Sequence, residues 1–341
     1  MIPTIRRADG SEVNAASAGS GGAETLRLST LLAADKESVV LLDEPAAHLH
    51  PRAQQALLAL LETGEGQFVV VTHSPGLLPS SRRGVEATIR IQRDENSNSH
   101  TFRIEQTQCE EDQIHQLVVK QPDARWIPFA ERVVFVSGHT ELVLYGSWFI
   151  GTVQPNQNIH VVNNNGDEYL RHYLRLASEF GVPWAAIVDG KSLCPSGHSP
   201  DGKRERQVKV PKVAKWILES EWDSVRKNFL RTAIHSAPNV DEDKPQWFAH
   251  WKDQLATVGV FTLATCWKGN NCKWTESPHD DGCHIESIED AEKRFLNRTP
   301  ASSSRKPSSA FSLLNSYPEP PEDFKRLILE VIAYENHFGA V

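Results

Sequence analysis

Short apolar runs alternate with helical patterns in two segments of the chain. In the first segment, apolar runs at 39–42 and 68–72 predict buried strands, and the pattern over 51–61 predicts a helix between them. The second segment repeats the alternation, with predicted strands at 133–136, 159–162, 182–188 and 259–263 and an amphipathic helix at 168–180. Strands separated by helices form parallel sheets covered by helices. The pattern therefore predicts an α/β fold.

Polar and turn-forming stretches divide the chain around these two segments. A hairpin at 87–92 and 100–105 is predicted to close the first segment, with a short helix at 112–119 and a linker at 121–123. We expect a first domain over 1–120 and a second over 126–298. The remaining region, 299–341, contains a Ser- and Pro-rich stretch at 300–321, expected to be flexible, and a closing helix at 322–337.

Composition and charge limit the partners and the cellular compartment that we expect for this protein. The chain has 341 residues, a net charge of -8 and five cysteines, and its mean hydropathy is -0.42. The negative charge argues against a protein that binds nucleic acid through its overall field, although a local basic patch is compatible with it. We find no apolar run that could span a bilayer and no secretory signal at the start. Few, unpaired cysteines favour a reducing compartment, so we expect a cytoplasmic protein without a membrane partner.

Two acids follow the first predicted strand, and a histidine follows the second. Asp43 and Glu44 come directly after the apolar run, and His73 ends the neighbouring strand. Open α/β sheets bind ligands at the carboxyl ends of their strands. In nucleotide hydrolysis, the first acid would hold Mg²⁺ and the second would polarise the attacking water, while the histidine could contact a γ-phosphate. The alternative is a turn with helix-capping acids.

These residues resemble the Walker B, D-loop and switch-histidine region of ABC-type ATPases. The match includes Asp43-Glu44-Pro45 and Leu49-His50-Pro51, and the preceding Gly19-Ser20-Gly21-Gly22 looks like the ABC signature loop leading into a helix at 26–34. The resemblance implies that Ser20, Gly21 and Gly22 bind ATP held by an opposite subunit. A glycine-rich helix N-terminus suits phosphate because its N–H groups point outward.

The phosphate loop of such an ATPase is missing before Asp43. Residues 190–192 and 197–203 contain Gly-Lys pairs, but the first lacks the leading glycine and the second has Arg204 in place of the Mg²⁺-binding hydroxyl. We interpret both as chance. The chain therefore looks like the second half of an ATPase head, which is either truncated or completed by a homo-oligomer or a partner chain that supplies the Walker A loop.

The second segment resembles a Toprim domain, and ATPase head followed by Toprim is the arrangement of the overcoming-lysogenization-defect (OLD) nucleases. In that family, acids after two strands hold Mg²⁺ for phosphodiester cleavage. Glu141 and Asp189 keep acids of this pattern, so the resemblance implies that they carry the nuclease metal. Ser137 and Lys191 replace two other acids, and neither side chain is a good ligand for a hard cation. A Toprim fold that has lost its metal chemistry is therefore an equal alternative, and Lys191 could contact a phosphate.

The region after Asp189 carries weaker signals. A basic stretch from Lys203 to Lys215 could follow nucleic-acid phosphates, or be a solvated surface. Glu276 and Glu286 are candidates for a further metal ligand. Zinc is disfavoured because the available cysteines and histidines lack a C-x₂-C knuckle; these are Cys266, Cys272, His279, Cys283 and His284. Trp247 and Trp251 are expected to pack in a core rather than stack on bases.

The hypothesis from the sequence is a partial ABC-type ATPase lobe joined to a Toprim-like parallel sheet flanked by helices. As an enzyme it would be an ATP-linked, Mg²⁺-dependent DNA endonuclease of the OLD type, in which Asp43 and the pair Glu141 and Asp189 bind Mg²⁺, Glu44 is the hydrolytic base and His73 senses the nucleotide. The family implies a role in defence against phage or in DNA repair. The alternatives are a non-catalytic subunit that completes a partner's ATP site and binds DNA, and a truncated relic.

Overall fold

The computed structural model describes residues 4–6, 10–14, 19–34, 39–79, 81–94, 96–104, 121–152, 159–198, 208–220, 223–264 and 306–334. The chain divides into two compact units, Met1–Phe129 and Ala130–Val341. The division into 1–120, 126–298 and 299–341 stays a prediction. The mixed α/β architecture expected from the sequence is present. Within the described ranges, no helix has the length and apolar character needed to cross a membrane.

The first unit is built around a two-stranded parallel sheet. Its elements in chain order are β1 (Thr4–Arg6), β2 (Glu12–Asn14), α1 (Gly19–Ala34), β3 (Val39–Asp43), α2 (Pro51–Thr63), β4 (Gln67–Val71), α3 (Arg82–Glu86), β5 (Arg90–Arg93) and β6 (Ser99–Phe102), with 3₁₀ turns at Pro75–Leu77 and Pro122–Phe129. Strands β3 and β4 pair in parallel, with Asp43 opposite Val71. The predicted hairpin is the antiparallel pair β5–β6.

One face of the β3–β4 sheet is buried and the other is exposed. Leu42 packs in a core with Leu28 of α1 and with Leu57 and Leu58 of α2. Side chains alternate between the faces of a strand, so the residues next to these point the other way. Four of them form an exposed apolar surface, which we call the open sheet face: Val39, Leu41, Val69 and Val71. Parallel sheets are normally covered on both faces.

The second unit contains a four-stranded sheet. Its elements are β7 (Arg132–Val136), α4 (His139–Thr152), β8 (Ile159–Asn163), α5 (Asp167–Glu179), β9 (Trp184–Ile187), β10 (Pro195–His198), β11 (Val208–Pro211), α6 (Lys212–Leu218), α7 (Ser224–Ser236), α8 (Lys244–Thr257), β12 (Val260–Phe261), α9 (Lys306–Ser316) and α10 (Glu322–Ala333), with a 3₁₀ turn at Gly190–Leu193. The strand order is β12-β9-β7-β8, and all pairings are parallel. The predicted fourth strand is therefore present.

Helices cover both faces of this sheet, which explains why its strands read as continuous apolar runs. Val134 and Val136 of β7 pack in one core with Trp148 of α4. On the opposite face, Phe135 makes an edge-to-face contact with Tyr173 of α5, with ring centroids 5.6 Å apart. Trp247 and Trp251 are buried, as core packing predicts.

The structure corrects one expectation and leaves another outside its described part. The Ser- and Pro-rich stretch at 300–321 was expected to be flexible, but residues Lys306–Ser316 form a helix. Ala310 and Leu313 of this helix are fully buried in the same core as α4 and α10. Leu314 packs against the same core, so apolar residues at helical spacing bury one side of this helix despite the polar residues around them. The helix predicted at 112–119 lies outside the described residues.

Candidate functional site

The acids and the histidine of the first unit meet at the carboxyl end of the β3–β4 sheet. Glu44 follows β3 directly, and the Nδ1 atom of His73 lies 2.7 Å from Glu44 Oε1. The backbone N–H of His73 and the Thr72 hydroxyl each lie 3.4 Å from Glu44 Oε2, as hydrogen-bond donors. Both carboxylate oxygens therefore have partners from the segment after β4. Parallel pairing of the two strands is what brings residues so distant in sequence together.

Local structure fixes the direction of the Glu44 side chain. The backbone of Glu44 has a φ of 47°, in the left-handed region, and its N–H donates to the Val71 carbonyl at 2.8 Å. Asp43, one residue earlier, is the last residue of β3 and is exposed. Successive side chains of a strand alternate between faces, but the turn at Glu44 ends that alternation. Asp43 and Glu44 thus lie together at the strand tip, where a nucleotide-bound Mg²⁺ could reach Asp43.

The signature-like glycines begin α1 rather than a loop before it. Helix α1 starts at Gly19, so Ser20, Gly21 and Gly22 occupy its first turn. A Cβ atom at Gly21 would lie 2.9 Å from the carbonyl oxygen of His48, in the turn that follows Glu44. Only glycine fits this close approach without a shift of the backbone. The N-terminus of α1 is therefore seated against the same turn that carries the acids.

In the second unit, the two retained acids converge at the carboxyl end of the sheet. Glu141 lies in the first turn of α4, after β7, and Asp189 follows β9. Tyr145, one turn beyond Glu141, is buried; burial, and then the negative charges of Glu141 and Asp189, raise the pKa of its hydroxyl above the usual range. Strands β7 and β9 are neighbours in the sheet, with Val136 opposite Ile187, so the segments that carry Glu141 and Asp189 leave the sheet side by side.

The two replaced acids change the electrostatics of this edge. Ser137 is buried directly after β7. The ammonium of Lys191 lies 3.7 Å from a carboxylate oxygen of Asp189, and Lys191 is more than half exposed. In the described part of the chain, no group of three or more His, Cys, Asp or Glu side chains could hold a metal ion. The protein would therefore offer two carboxylates to a cation here, with water completing the coordination, and Lys191 would have to turn away.

Three residues at this edge were not assigned a role from the sequence. Asn163 is the last residue of β8 and Asn164 follows it; both are almost completely buried. The amide Nδ2 of Asn163 lies 3.3 Å from Nδ1 of His139, the first residue of α4. A run of asparagines after a strand, ending in a glycine, was the available signal. Asparagine side chains are buried in a core only when they are hydrogen-bonded there.

The site candidates further along the chain fall outside the described residues. These are Glu276, Glu286 and the potential zinc ligands Cys266, Cys272, His279, Cys283 and His284. The basic stretch is described only in part, and Lys209 and Lys212 in it are exposed. The Gly-Lys pair at 190–191 lies in a 3₁₀ turn after β9. A turn of four residues is not the loop that cradles a nucleotide phosphate.

Comparison with known families gives two matches. Residues 4–78 match AAA_21, a model of an AAA domain whose description names the AbiEii toxin and a type IV TA system. Residues 129–190 match the TOPRIM domain of proteins similar to the overcoming lysogenization defect protein. The chain has the OLD arrangement. An ATPase-like domain precedes an OLD-like Toprim domain, as the motifs predicted. Among curated proteins, no match was found.

Proposed function

We propose that the protein is a cytoplasmic, ATP-linked DNA endonuclease of the OLD kind that uses Mg²⁺. The observation that carries this proposal is that Glu141 and Asp189 follow two neighbouring parallel strands, β7 and β9, at the carboxyl end of the sheet. Two carboxylates at the carboxyl end of a parallel sheet can hold Mg²⁺, which keeps several waters in its coordination sphere. When bound, the ion would activate water and stabilise the leaving oxygen of a phosphodiester. The match to an OLD-like Toprim domain supports a nucleic-acid substrate.

The first unit would contribute part of an ATP site. Glu44 would polarise the attacking water, held by its contacts with Thr72 and His73. Asp43 would bind the nucleotide's Mg²⁺, and the first turn of α1 would face the nucleotide phosphates through Ser20 and Gly22. A partner chain would supply the phosphate loop. The open sheet face supports this because a two-stranded parallel sheet with one bare apolar face is incomplete by itself.

A second candidate function is a subunit that binds DNA without cutting it. The ion pair between Lys191 and Asp189 favours it, since an ammonium 3.7 Å from a carboxylate oxygen competes with a cation for that carboxylate. In this case the edge of the Toprim-like sheet would hold nucleic-acid phosphates through Lys191. The ATP-site residues would then serve a partner's nucleotide.

Nicking of supercoiled plasmid by the purified chain separates the two candidates. We expect Mg²⁺- or Mn²⁺-dependent nicking that EDTA abolishes and that falls by at least roughly 100-fold in Glu141→Ala and Asp189→Ala, because even indirect partners of a metal typically contribute 10- to 100-fold. Asp253→Ala is the matched control, as this carboxylate is exposed on α8. Nicking that survives in both site variants would come from a contaminant. Plasmid binding without nicking would favour the DNA-binding subunit.

A further inference from the structure

The hydrogen bonds of Asn163 fix the orientation of its amide group. The backbone N–H of Asn165 donates to Asn163 Oδ1 at 2.8 Å, and a backbone N–H can only donate. The oxygen is therefore on that side, and the NH₂ group is on the other. Its nitrogen lies 3.1 Å from Asn165 Oδ1 and 3.3 Å from His139 Nδ1. One amide hydrogen serves each of these two contacts.

This arrangement fixes the tautomer of His139. An NH₂ group can only donate, so Nδ1 of the imidazole must accept and carries no proton. A neutral imidazole then has its proton on Nε2, which becomes a donor. The assignment rests on hydrogen-bonding logic, because amide and ring orientations are set by the network of partners. An Nε2 atom that carries a proton cannot be a metal ligand. His139 is therefore equipped to bind an acceptor and not a cation.

The position of His139 points to the kind of acceptor. His139 is exposed and begins a 14-residue helix, where backbone N–H groups also favour an anion. Ser137 and Gly138 separate it from β7, and a Cβ atom at Gly138 would lie 2.8 Å from Glu141 Oε2. The Glu141 carboxylate, proposed to hold Mg²⁺, therefore lies beside the residue that precedes His139. In the residue after Asn163, the buried Nδ2 atom of Asn164 has no hydrogen-bond partner among the described residues.

We propose that His139, held as an Nε2–H donor by Asn163, is a contact for a non-bridging phosphate oxygen of the nucleic acid. This inference rests on the proposed function, because it takes the ligand of the Toprim-like edge to be nucleic acid. This edge of the sheet would then make two kinds of contact, one with a cation and one with a phosphate. Glu141 and Asp189 face the cation or Lys191, while His139 contacts the phosphate group that the carboxylates alone would repel.

Binding of a fluorescein-labelled DNA duplex, measured by anisotropy in EDTA so that nothing is cut, tests the contact in the full chain. We expect His139→Ala to weaken binding about tenfold, the usual scale for a lost hydrogen bond to a charged group. His139→Gln keeps an N–H donor in a similar place and should recover much of the affinity. His235→Ala, at an exposed histidine in the last turn of α7, is the matched control and should bind like the wild type.

The salt dependence of binding distinguishes a neutral donor from a charged one. Removing a neutral imidazole releases no counterion, so His139→Ala should leave the slope of log affinity against log salt unchanged. Lys191→Ala should reduce the slope by about 0.9 if its ammonium contacts a phosphate of duplex DNA. A changed slope in His139→Ala would overturn the neutral-donor assignment. Long-range ¹H–¹⁵N spectra of histidine-labelled protein provide an independent check, and an Nδ1–H or doubly protonated His139 would contradict the proposal.

The outcomes for this contact and for the proposed function can be separated. If the wild type nicks plasmid while His139→Ala binds DNA equally well, the endonuclease stands and the phosphate contact is wrong. Loss of affinity that His139→Gln does not recover, with the His139 tautomer as assigned, would also reject the contact, since it would indicate a local structural change. If the wild type binds no DNA at any salt concentration and also does not nick plasmid with Mg²⁺ or Mn²⁺, both proposals fail; nicking without binding in EDTA would reject the phosphate contact alone.

Discussion

At the scale of single residues, the backbone of Glu44 adopts a conformation that is unfavourable for a residue with a side chain. Its φ of 47° is unfavourable for a residue with a Cβ atom, at a cost of roughly 1–2 kcal/mol. The conformation is held by the hydrogen bond of its N–H to Val71 and by the contacts of its carboxylate with Thr72 and His73. Such strain is typical of active sites. A glycine would avoid the cost but would lose the carboxylate.

Comparison of Glu44→Gly with Glu44→Ala isolates this strain. Both variants lose the contact with His73, so the difference between them comes from the backbone alone. We expect the first unit of Glu44→Gly to be more stable than that of Glu44→Ala by about 1 kcal/mol, after the greater entropy of glycine in the unfolded chain is counted. Hydrogen-exchange mass spectrometry of peptides from β3 and β4 would measure it. Equal protection in the two variants would show that the turn relaxes without strain.

At the scale of elements, two helices of the second unit begin in the same way but in different surroundings. Asp223 and Asp243 cap α7 and α8, each accepting a hydrogen bond from the backbone N–H three residues later at 2.9 Å. Asp223 also pairs with the buried guanidinium of Arg226 at 2.6 Å. That guanidinium lies over the ring of Trp184 at 4.1 Å from its centroid. The cap of α7 is therefore linked to β9 through Arg226 and Trp184, whereas the cap of α8 is exposed to solvent.

The two caps should differ in their contribution to stability. Asp243→Ala should cost about 1 kcal/mol, the usual value of a lost cap. Asp223→Ala should cost about 3–5 kcal/mol, because it also leaves a buried charge without its carboxylate. Urea unfolding followed by tryptophan fluorescence would report both, with Asp243→Ala as the matched control. Similar costs for the two variants would mean that Arg226 finds water or another partner.

At the scale of the whole molecule, the end of the chain completes the core of the second unit. Helices α9 and α10 bury Leu313, Phe324, Ile328 and Val331 against residues of α4, β7 and β9. The side chain of Arg132 donates to the carbonyl oxygen of Ile332 at 2.9 Å, which ties the start of β7 to the end of α10. The Toprim-like sheet is thus covered on one face by residues far from it in sequence.

Removal of these helices should prevent the second unit from folding. Each buried side chain of this size contributes about 1.5–3 kcal/mol, whereas a whole domain is stable by about 5–15 kcal/mol. A chain that ends after residue 305 should therefore lose the near-ultraviolet circular dichroism of its tryptophans and become sensitive to protease. A chain that ends after Tyr334 keeps every described contact and is the control. A native spectrum for the shorter chain would show that α9 and α10 are accessory.

Much of the fold and part of the site were predictable because their signals are local. Apolar runs of strand length identify β7, β8 and β9, since a strand buried on both faces needs no polar alternation. The runs of β3 and β4 are also apolar, although one face of their sheet is exposed. The acids and the histidine were found because they directly follow such strands. The helical segment at 306–316 was missed because its seat consists of α4 and α10, and its own composition resembles that of a loop.

The sequence by itself determined the order of the elements, the residues at the strand tips and the arrangement of an ATPase-like domain before a Toprim domain. Periodicity and motifs are properties of residues that are close together in the sequence, so they can be recognised without knowing the fold. The tertiary structure decided which side chains meet: Glu44 with His73, Asp189 with Lys191 and Asn163 with His139. Except for Asp189 with Lys191, these contacts join residues at the ends of different strands or in the segments that follow them. Strand order and register, which depend on packing of the whole sheet, determine them.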